Sequence, residues 1–362
     1  MEKKLSSVVD ALKDLSPEQK RLALAIGATA AASSTVTAVV MCLLRRGNGS
    51  GEQQVHAAAP SGETKKMNGA SSNGVVKPND STKIYESESS ARQYMEFHYT
   101  PTRTSYAQRL RTISESFDFP LRVARKFKEF TPQTGNENTM ALDIGCATGA
   151  SVLEMSKYFN KVIGLDYSEI FIHLAKELVQ DTGKAHRHRV TYTAPDQGDI
   201  TVERTTYAPH GTFPERCEFY CGDAMNLFAE KGATHLTPHP SGHYDDVMWY
   251  KVPPGVQFDA VLAANLLCRV PDPRRLLDAF GRLLRPGGVL VLVSPYSWWE
   301  GATPRERWIG GRPGGPRSED AVKEILSPAF ELLSETDEAF LIRDHVRRYQ
   351  LGFSHCTVWR RR

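Results

Sequence analysis

Three aspartates in the sequence each follow a short apolar run, at a spacing that suits a nucleotide-like cofactor. Asp143 lies inside "MALDIGCATG", Asp166 ends "KVIGLD" twenty-three residues later, and Asp223 follows "EFYCG". An acid at the end of the second strand can accept hydrogen bonds from two ribose hydroxyls. An acid beside a glycine turn repels a pyrophosphate but attracts a cation, which suits the amino and sulfonium groups of S-adenosylmethionine. We therefore predict this cofactor rather than a dinucleotide.

The glycine turn and the residues after each acid complete the predicted cofactor site. The glycines of "DIGCATG" let the backbone approach a ligand, and their spacing differs from that of a GxGxxG fingerprint. The carboxylate of Asp223 is expected to take the adenine amino group while the backbone of Ala224 faces the ring. The predicted cofactor-binding residues are Asp143, Gly145, Cys146, Ala147, Gly149, Asp166, Tyr167, Asp223, Ala224 and Asn265.

Only a parallel sheet brings such strand ends together. From residue 84 to residue 362, helical and strand-like runs alternate, which predicts an α/β domain. Three segments precede this domain: an N-terminal flank at 1–21, a transmembrane helix at 22–44 and a disordered linker at 45–83. The linker is rich in Gly, Ser, Asn and Ala, so it cannot bury a core.

The predicted transmembrane helix at 22–44 contains no charged side chain. As a helix it rises about 34 Å, enough for a hydrocarbon core of about 30 Å. A soluble Ala-rich helix and a cleaved targeting peptide are the alternatives, since the segment is only modestly hydrophobic. Basic residues before the segment favour a cytosolic N-terminus, whereas cysteines without CxxC pairs favour a cytosolic catalytic domain. We expect a single-pass membrane protein with the catalytic domain in the cytosol.

The charge pattern gives no support for a nucleic-acid partner. The chain has 45 basic and 42 acidic residues, for a net charge of +3. After the fourth predicted strand it reads "NLLCRVPDP", which lacks the stacking aromatic of enzymes that methylate base amino groups. We therefore expect no nucleic acid to bind.

The order of these motifs resembles that of the class I S-adenosylmethionine-dependent methyltransferases, over residues 84–362. "FDAVLAAN" and "RLLRPGGVLVLVSPY" match the fourth strand, the Pro-Gly-Gly turn and the fifth strand of that family. The resemblance implies a Rossmann-like fold whose seven-stranded sheet is mostly parallel, with an antiparallel C-terminal strand. Because ligands lie at the carboxyl ends of such strands, Asn265 and Tyr296 fall on the substrate side.

A narrower resemblance concerns the methyl acceptor. "ANLLCRVPDPRRLL", "SPYSWWEGATPRERWIGG" and "YESESSARQYMEFHY" resemble the C-terminal methyltransferase domain of ovothiol synthases. This implies methylation of an imidazole ring nitrogen of 4-mercaptohistidine or a related small histidine derivative. The sequence does not contain that family's iron-dependent sulfoxide-synthase portion, so a separate upstream enzyme of that kind is an expected partner. Two expansions, at 194–215 and 231–257, are expected to lengthen loops near the site.

Two other functions stay open at this point. Protein-histidine methyltransferases carry a similar Asn-Leu-Leu-x-Arg segment after the fourth strand, and the chain matches it at Asn265. A non-catalytic membrane scaffold is the third reading, although the intact "DIGCATG" and the acids at the strand ends argue against it.

An imidazole acceptor needs orientation more than it needs a base. Its unperturbed pKa of about 6.5 leaves it mostly neutral at pH 7, so the site must align one nitrogen and accept the N–H of the other. The side-chain carbonyl of Asn265 or the hydroxyl of Tyr99 can supply that acceptor. The predicted catalytic residues are Asn265, Tyr99, His98 and Tyr296. The candidates for binding the carboxylate of a free amino acid are Arg269, Arg343 and Arg347.

Three histidines with a four-residue spacing do not predict a metal site. His235, His239 and His243 would align on a helix, but "HLTPHPSGHYDD" contains prolines and a glycine that exclude a helix there. We predict no bound metal.

Overall fold

The computed structural model describes residues 85–99, 116–131, 138–180 and 188–362. The predicted transmembrane helix at 22–44 and the predicted linker at 45–83 lie outside these ranges. Among the described residues, no helix has both the length and the apolar character needed to cross a membrane. The fold is therefore described for the domain predicted from residue 84 onwards.

The helices and strands alternate along most of this domain. The α-helices in the described ranges are α1 (Glu88–Tyr99), α2 (Phe119–Phe130), α3 (Ala150–Met155), α4 (Glu169–Val179), α5 (Pro273–Leu283) and α6 (Ser318–Leu326). The strands are β1 (Met140–Ile144), β2 (Lys161–Asp166), β3 (Arg189–Gln197), β4 (Ile200–Tyr207), β5 (Cys217–Cys221), β6 (Leu236–Pro238), β7 (Met248–Tyr250), β8 (Phe258–Ala264), β9 (Leu284–Ser294), β10 (Phe330–His345) and β11 (Arg348–Arg361).

One large sheet carries the strand ends on which the predicted site depends. Its strands run in the order β10-β11-β9-β8-β1-β2-β5-β7-β6. Neighbours from β9 through β8, β1, β2 and β5 to β7 pair in parallel. In contrast, β11 pairs antiparallel with β9 and β10, and β6 pairs antiparallel with β7. The predicted Rossmann-like fold with a mostly parallel sheet and an antiparallel C-terminal strand is confirmed.

The predicted number of seven strands is wrong, because this sheet has nine strands among the described residues. The two additional strands, β6 and β7, come from the expansion at 231–257, which the sequence predicts as a lengthened loop. Trp249 of β7 pairs with Cys221 of β5, and its ring packs edge-on against Tyr167 at 5.7 Å. Each of these strands has three residues, too few to show an alternating pattern in the sequence. They form because the edge of β5 pairs with β7, and β7 in turn pairs with β6.

The expansion at 194–215 is also more than a loop. It supplies most of a β3–β4 hairpin, which forms a separate two-stranded sheet. On α1, the buried Glu96 carboxylate accepts a hydrogen bond from the Tyr192 hydroxyl at 2.8 Å and pairs with Arg204 at 2.9 Å. Arg343 of β10 donates to the same carboxylate at 2.6 Å. This cluster of charges joins the hairpin to α1 and to the C-terminal strands.

Helices cover both faces of the large sheet. On one face, Val123 of α2 and Leu153 of α3 pack in a core that includes Ala141 of β1. On the other, Leu276 of α5 packs in a second core that includes Leu142. Successive residues of a strand point to opposite faces of the sheet, so the neighbours Ala141 and Leu142 of β1 pack in different cores.

Helix α5 shows how local sequence and burial combine. The Asp272 side chain accepts a hydrogen bond from the Arg275 backbone N–H at 3.2 Å, and Pro273 occupies the first helical position. The apolar side chains of α5, including Leu276 and the fully buried Phe280, face the sheet. The cap fixes where the helix begins, and the buried face fixes how it packs.

Candidate active site

The carboxyl ends of β1, β2, β5 and β8 border a cavity of about 550 Å³. Strand β1 lies between β2 and β8, so the strand order reverses there, and ligands of open α/β sheets bind at such reversals. Helix α1 also contributes to the wall, through Gln93, Tyr94, Phe97 and His98. The volume falls within the range of about 300 to 1,000 Å³ that is typical of small-molecule sites.

The glycine turn after β1 has a backbone that other residues rarely adopt. Gly145 has a φ of 79° and Gly149 a φ of 86°. Gly145 lines the cavity, as do Cys146 and Ala147, whereas Gly149 does not. A Cβ atom on Gly149 would lie 2.5 Å from the Phe219 ring, so this glycine allows the turn to pack on β5. Only the first half of the turn, from Gly145 to Ala147, therefore borders the cavity.

Asp143 is buried in the cavity wall, and one of its carboxylate oxygens has no protein partner. Oδ2 accepts a hydrogen bond from the Ser151 hydroxyl, whereas no hydrogen bond reaches Oδ1. Burial, with a smaller contribution from the nearby charge of Asp166, raises the pKa of Asp143 from 3.8 to about 7. A cation bound beside Oδ1 would satisfy this oxygen and stabilise the charged form. This unsatisfied acceptor oxygen thus fits the ammonium or sulfonium group of S-adenosylmethionine.

Asp166, at the end of β2, uses one carboxylate oxygen to bind the glycine turn and the other to bind the segment that follows β2. Oδ2 accepts the backbone N–H of Ala147 at 2.9 Å, and Oδ1 accepts that of Ser168 at 2.9 Å. A carboxylate has about four acceptor sites, so each oxygen retains one for a ribose hydroxyl. Burial raises the pKa of Asp166 as well. Asp166 and the next residue, Tyr167, both line the cavity, as predicted.

Asp223 follows β5 and lines the same cavity beside Ala224. Its Oδ1 accepts the backbone N–H of Met225 at 2.8 Å, and burial raises its pKa. This hydrogen bond holds the carboxylate over the end of β5, where it can accept from an amino group. The third predicted acid therefore joins the other two around one space.

Tyr85 and Glu86 are among the residues of this wall that sequence reasoning missed. Both line the cavity, and Glu86 Oε1 accepts the backbone N–H of Glu169 at 3.1 Å. Burial raises the pKa of Glu86. No strand end marks these residues. The signal that could have pointed to them is the string "YESESS", which opens one of the unusual segments of the chain.

The predicted catalytic residues separate into two pairs. His98 and Asn265 line the cavity, whereas Tyr99 and Tyr296 do not. The Tyr99 hydroxyl donates to the backbone carbonyl of Thr148, and the Tyr296 hydroxyl lies 3.0 Å from His355 Nδ1. Their placement gives no support to the predicted catalytic role. Tyr99 instead stabilises the glycine turn through its hydrogen bond to Thr148.

Asn265 lies at the carboxyl end of β8 with a fixed side chain. Its backbone has a φ of 55°, and its N–H donates to the Val293 carbonyl at 2.8 Å. The Ser354 hydroxyl donates to its Oδ1 at 2.7 Å. Residues other than glycine rarely adopt such a backbone, and those that do concentrate at functional sites. The amide is thus held at the cavity wall by two neighbouring strands.

The remaining wall is mostly apolar, with a few polar groups. Its large apolar residues are Phe97, Phe119, Val123, Phe340, Ile342 and Leu351. Its polar residues on this side are Gln93, Arg269, Ser297 and Gln350. Such a wall suits a small acceptor with a flat apolar body and a few polar substituents.

The histidines of "HLTPHPSGHYDD" do not form a metal site. His239 and His243 approach the Glu169 carboxylate at 3.3 and 3.7 Å, and strand β6 with the turns after it replaces any helix there. In the part of the chain that the structure describes, no group of three His, Cys, Asp or Glu side chains is arranged to hold a metal ion.

The sheet order, the three acids around one cavity and the unsatisfied oxygen of Asp143 together define a class I S-adenosylmethionine-dependent methyltransferase. The family model described as "Methyltransferase domain" matches residues 116–327. This match covers more than half of the chain, so the chain belongs to that family. The predicted enzyme class and the predicted cofactor are confirmed.

Solved structures similar to this chain include two methyltransferases. Magnesium protoporphyrin IX methyltransferase (ChlM) from Synechocystis PCC 6803, with bound SAM, is 12% identical over 79% of this chain and 99% of that chain, with a TM-score of 0.44. N-methyltransferase NodS from Bradyrhizobium japonicum WM9, in complex with S-adenosyl-L-homocysteine, is 15% identical over 75% of this chain and 98% of that chain, with a TM-score of 0.38. The comparison with curated proteins found no match.

Proposed function

We propose that the protein methylates an imidazole ring nitrogen of 4-mercaptohistidine or a related small histidine derivative. The observation that carries this proposal is the position of Asn265, which begins "NLLCRVPDP" and presents a fixed amide to the cavity. When bound, S-adenosylmethionine supplies an electrophilic methyl group on its sulfonium sulfur. The residues of the chain then have to orient the ring, because a neutral imidazole nitrogen already carries its lone pair.

Asn265 is suited to fixing the tautomer of such a ring. Its Oδ1 accepts the Ser354 hydroxyl and retains one lone pair for the N–H of the acceptor. His98 does not compete for this role, because its Nδ1 already accepts the backbone N–H of Ala150 at 3.3 Å. The aromatic rings of Phe97 and Phe340 in the wall offer flat apolar surfaces against which an imidazole can pack.

The three candidate arginines lie in different surroundings. Arg343 is buried against Glu96, and Arg347 is exposed in the turn between β10 and β11. Arg269 lines the cavity, and its Nη1 donates to the Ser297 carbonyl at 2.6 Å and to the Cys268 carbonyl at 2.9 Å. No ion pair to Arg269 occurs among the described residues. We infer that its guanidinium binds the carboxylate of a free amino-acid acceptor.

A methyl-transfer assay with labelled S-adenosylmethionine tests this function. The acceptors are histidine, 4-mercaptohistidine and a protein extract, each with the wild type, Asn265→Ala and Asn160→Ala. Asn160 is an exposed asparagine whose side-chain amide accepts a hydrogen bond from the Thr139 hydroxyl, outside the cavity, so it is the matched control. We expect label in the thiohistidine, strongly reduced transfer by Asn265→Ala and normal transfer by the control. Label only in protein would favour a protein-histidine methyltransferase and refute the small-molecule proposal.

We further propose that residues 22–44 anchor the protein in a membrane as a single pass, with the catalytic domain in the cytosol. The absence of charge over these residues supports an anchor, and the five cysteines of the described residues are all free and buried, which fits a reducing compartment. Cell fractionation of the full chain and of a variant lacking 22–44 tests this. The full chain is expected in the carbonate-resistant membrane fraction. Recovery of both chains in the soluble fraction would refute the anchor.

A further inference from the structure

His98 occupies a part of the cavity wall that the transfer reaction does not explain. It lies on α1, is 9% exposed, and lines the cavity. Its Nδ1 accepts the backbone N–H of Ala150, the first residue of α3, at 3.3 Å. The two elements are thus joined at the beginning of the helix that follows the glycine turn.

This hydrogen bond fixes the tautomer of His98. A neutral imidazole has one N–H donor and one acceptor nitrogen, so a ring that accepts at Nδ1 carries its proton on Nε2. Burial lowers the pKa of His98 to about 3, which keeps the ring neutral. His98 is therefore a donor at Nε2, and it has no free lone pair with which to take a proton from an acceptor.

Asp143 lies against the next residue of the same helix. Its Oδ2 accepts from the Ser151 hydroxyl, while its buried Oδ1 has no hydrogen-bond partner. The imidazole and the carboxylate thus hydrogen-bond to the first two residues of α3, and both line the cavity. The wall of the cavity near the beginning of α3 therefore offers a neutral hydrogen-bond donor, His98 Nε2–H, and an acidic acceptor, Asp143 Oδ1.

An α-amino acid group complements this pair, because it carries a carboxylate and an ammonium on one carbon. We propose that His98 Nε2–H binds the carboxylate of the methionine part of S-adenosylmethionine, beside Asp143, which binds its ammonium group. A neutral donor suits this place. An arginine or lysine would itself pair with the unsatisfied oxygen of Asp143 and reduce its attraction for the ligand. His98 is then a cofactor-binding residue rather than a catalytic base.

The role of His98 concerns the cofactor and does not depend on which acceptor is methylated, so either proposal can be wrong while the other stands. Isothermal titration calorimetry of the full chain with two ligands tests it. These are S-adenosylmethionine and decarboxylated S-adenosylmethionine, which lacks only the carboxylate. The wild type is expected to prefer the first ligand by about 10- to 100-fold, the usual effect of a hydrogen bond to a charged group. Equal affinity for the two ligands would overturn the proposal.

The variants His98→Phe and His98→Gln separate hydrogen bonding from packing. Phenylalanine keeps a ring but no donor, so it should lose the preference for S-adenosylmethionine while its affinity for the decarboxylated ligand stays within about twofold. Glutamine retains an N–H donor and should restore part of the preference. Binding of the decarboxylated ligand also shows that each variant is folded. If His98→Phe weakens both ligands by the same factor, His98 only supports α3 and the proposal is wrong.

The control for these variants is Asp166→Ala. The ribose is the same in both ligands, so this substitution should lower both affinities equally and leave the preference for the carboxylate unchanged. A preference that disappears in Asp166→Ala as well would mean that discrimination is a property of the whole cavity rather than of His98, and it would refute the assignment.

Discussion

Replacing Asp143 by asparagine should stabilise the cofactor-free protein and weaken the binding of the cofactor. Asp143 is 2% exposed, and its carboxylate has one hydrogen-bond donor, the Ser151 hydroxyl. Burial raises its pKa from 3.8 to about 7, so its charged form is disfavoured in the folded protein. An amide keeps the shape and an acceptor for Ser151 but carries no charge. The same change removes the negative charge that we expect to attract the ammonium of the cofactor.

The sign of the stability effect follows from proton binding. Between pH 4 and pH 7, the folded state binds more protons at Asp143 than the unfolded state does, so rising pH lowers the stability of the wild type. The difference in pKa corresponds to a few kcal/mol at about 1.4 kcal/mol per pKa unit. The side-chain N–H donors of the new asparagine lack acceptors, which lowers this gain in folding stability by about 1 to 2 kcal/mol. At pH 8 nearly all of this difference, about 4 kcal/mol, is relieved, so we expect Asp143→Asn to gain about 2 to 3 kcal/mol there and little or nothing at pH 5.

Two measurements check this prediction. Denaturant unfolding of the cofactor-free chain at pH 5 and pH 8 gives the difference in stability, and calorimetry at pH 8 gives the affinity for S-adenosylmethionine. We expect the affinity of Asp143→Asn to fall by about 10- to 100-fold. The control is Asp199→Asn, in the exposed turn of the β3–β4 hairpin. A variant that is equally destabilised at both pH values, with unchanged affinity, would refute the reasoning.

Asp166→Ala should weaken the binding of S-adenosylmethionine by about 1 to 3 kcal/mol, because the ribose hydroxyls lose their acceptors; unchanged affinity by calorimetry would contradict that assignment. Glu96→Ala should lower the free energy of unfolding by about 3 to 5 kcal/mol, since it leaves the buried Arg343 without its carboxylate. Glu88→Ala, which removes an exposed ion pair on the same helix, should cost less than about 1 kcal/mol. Phe280→Ala should cost about 3 to 5 kcal/mol by denaturant unfolding, and a loss below about 1 kcal/mol would contradict its core position.

Most of the cofactor site could be predicted because its signals are local. An apolar run that ends in an acid is a strand with a polar end, and parallel strands bring their carboxyl ends to one edge of the sheet. Asp143, Asp166 and Asp223 therefore meet at one cavity, as their positions in the sequence predict. The cap of α5 at Asp272 is equally local.

The residues on the methyl-acceptor side of the cavity were less predictable, because their roles depend on which way each side chain points. His98 and Tyr99 are adjacent on α1, about 100° apart around the helix axis, so one lines the cavity while the other braces the turn. Arg343 appears as available as Arg269 in the sequence. Its partner Glu96 is 247 residues away, and only the fold brings the two together.

The sequence by itself determined the class of enzyme, the cofactor and the three acids that line the cavity, since each depends on contiguous residues and on the regular geometry of parallel strands. Only the tertiary structure decided which of the candidate side chains face the cavity and that the two expansions are strands. The orientation of the side chains and the addition of β7 to the sheet depend on contacts between distant segments, such as Glu96 with Arg343 and Trp249 with Tyr167. Such contacts leave no periodic mark in either segment alone.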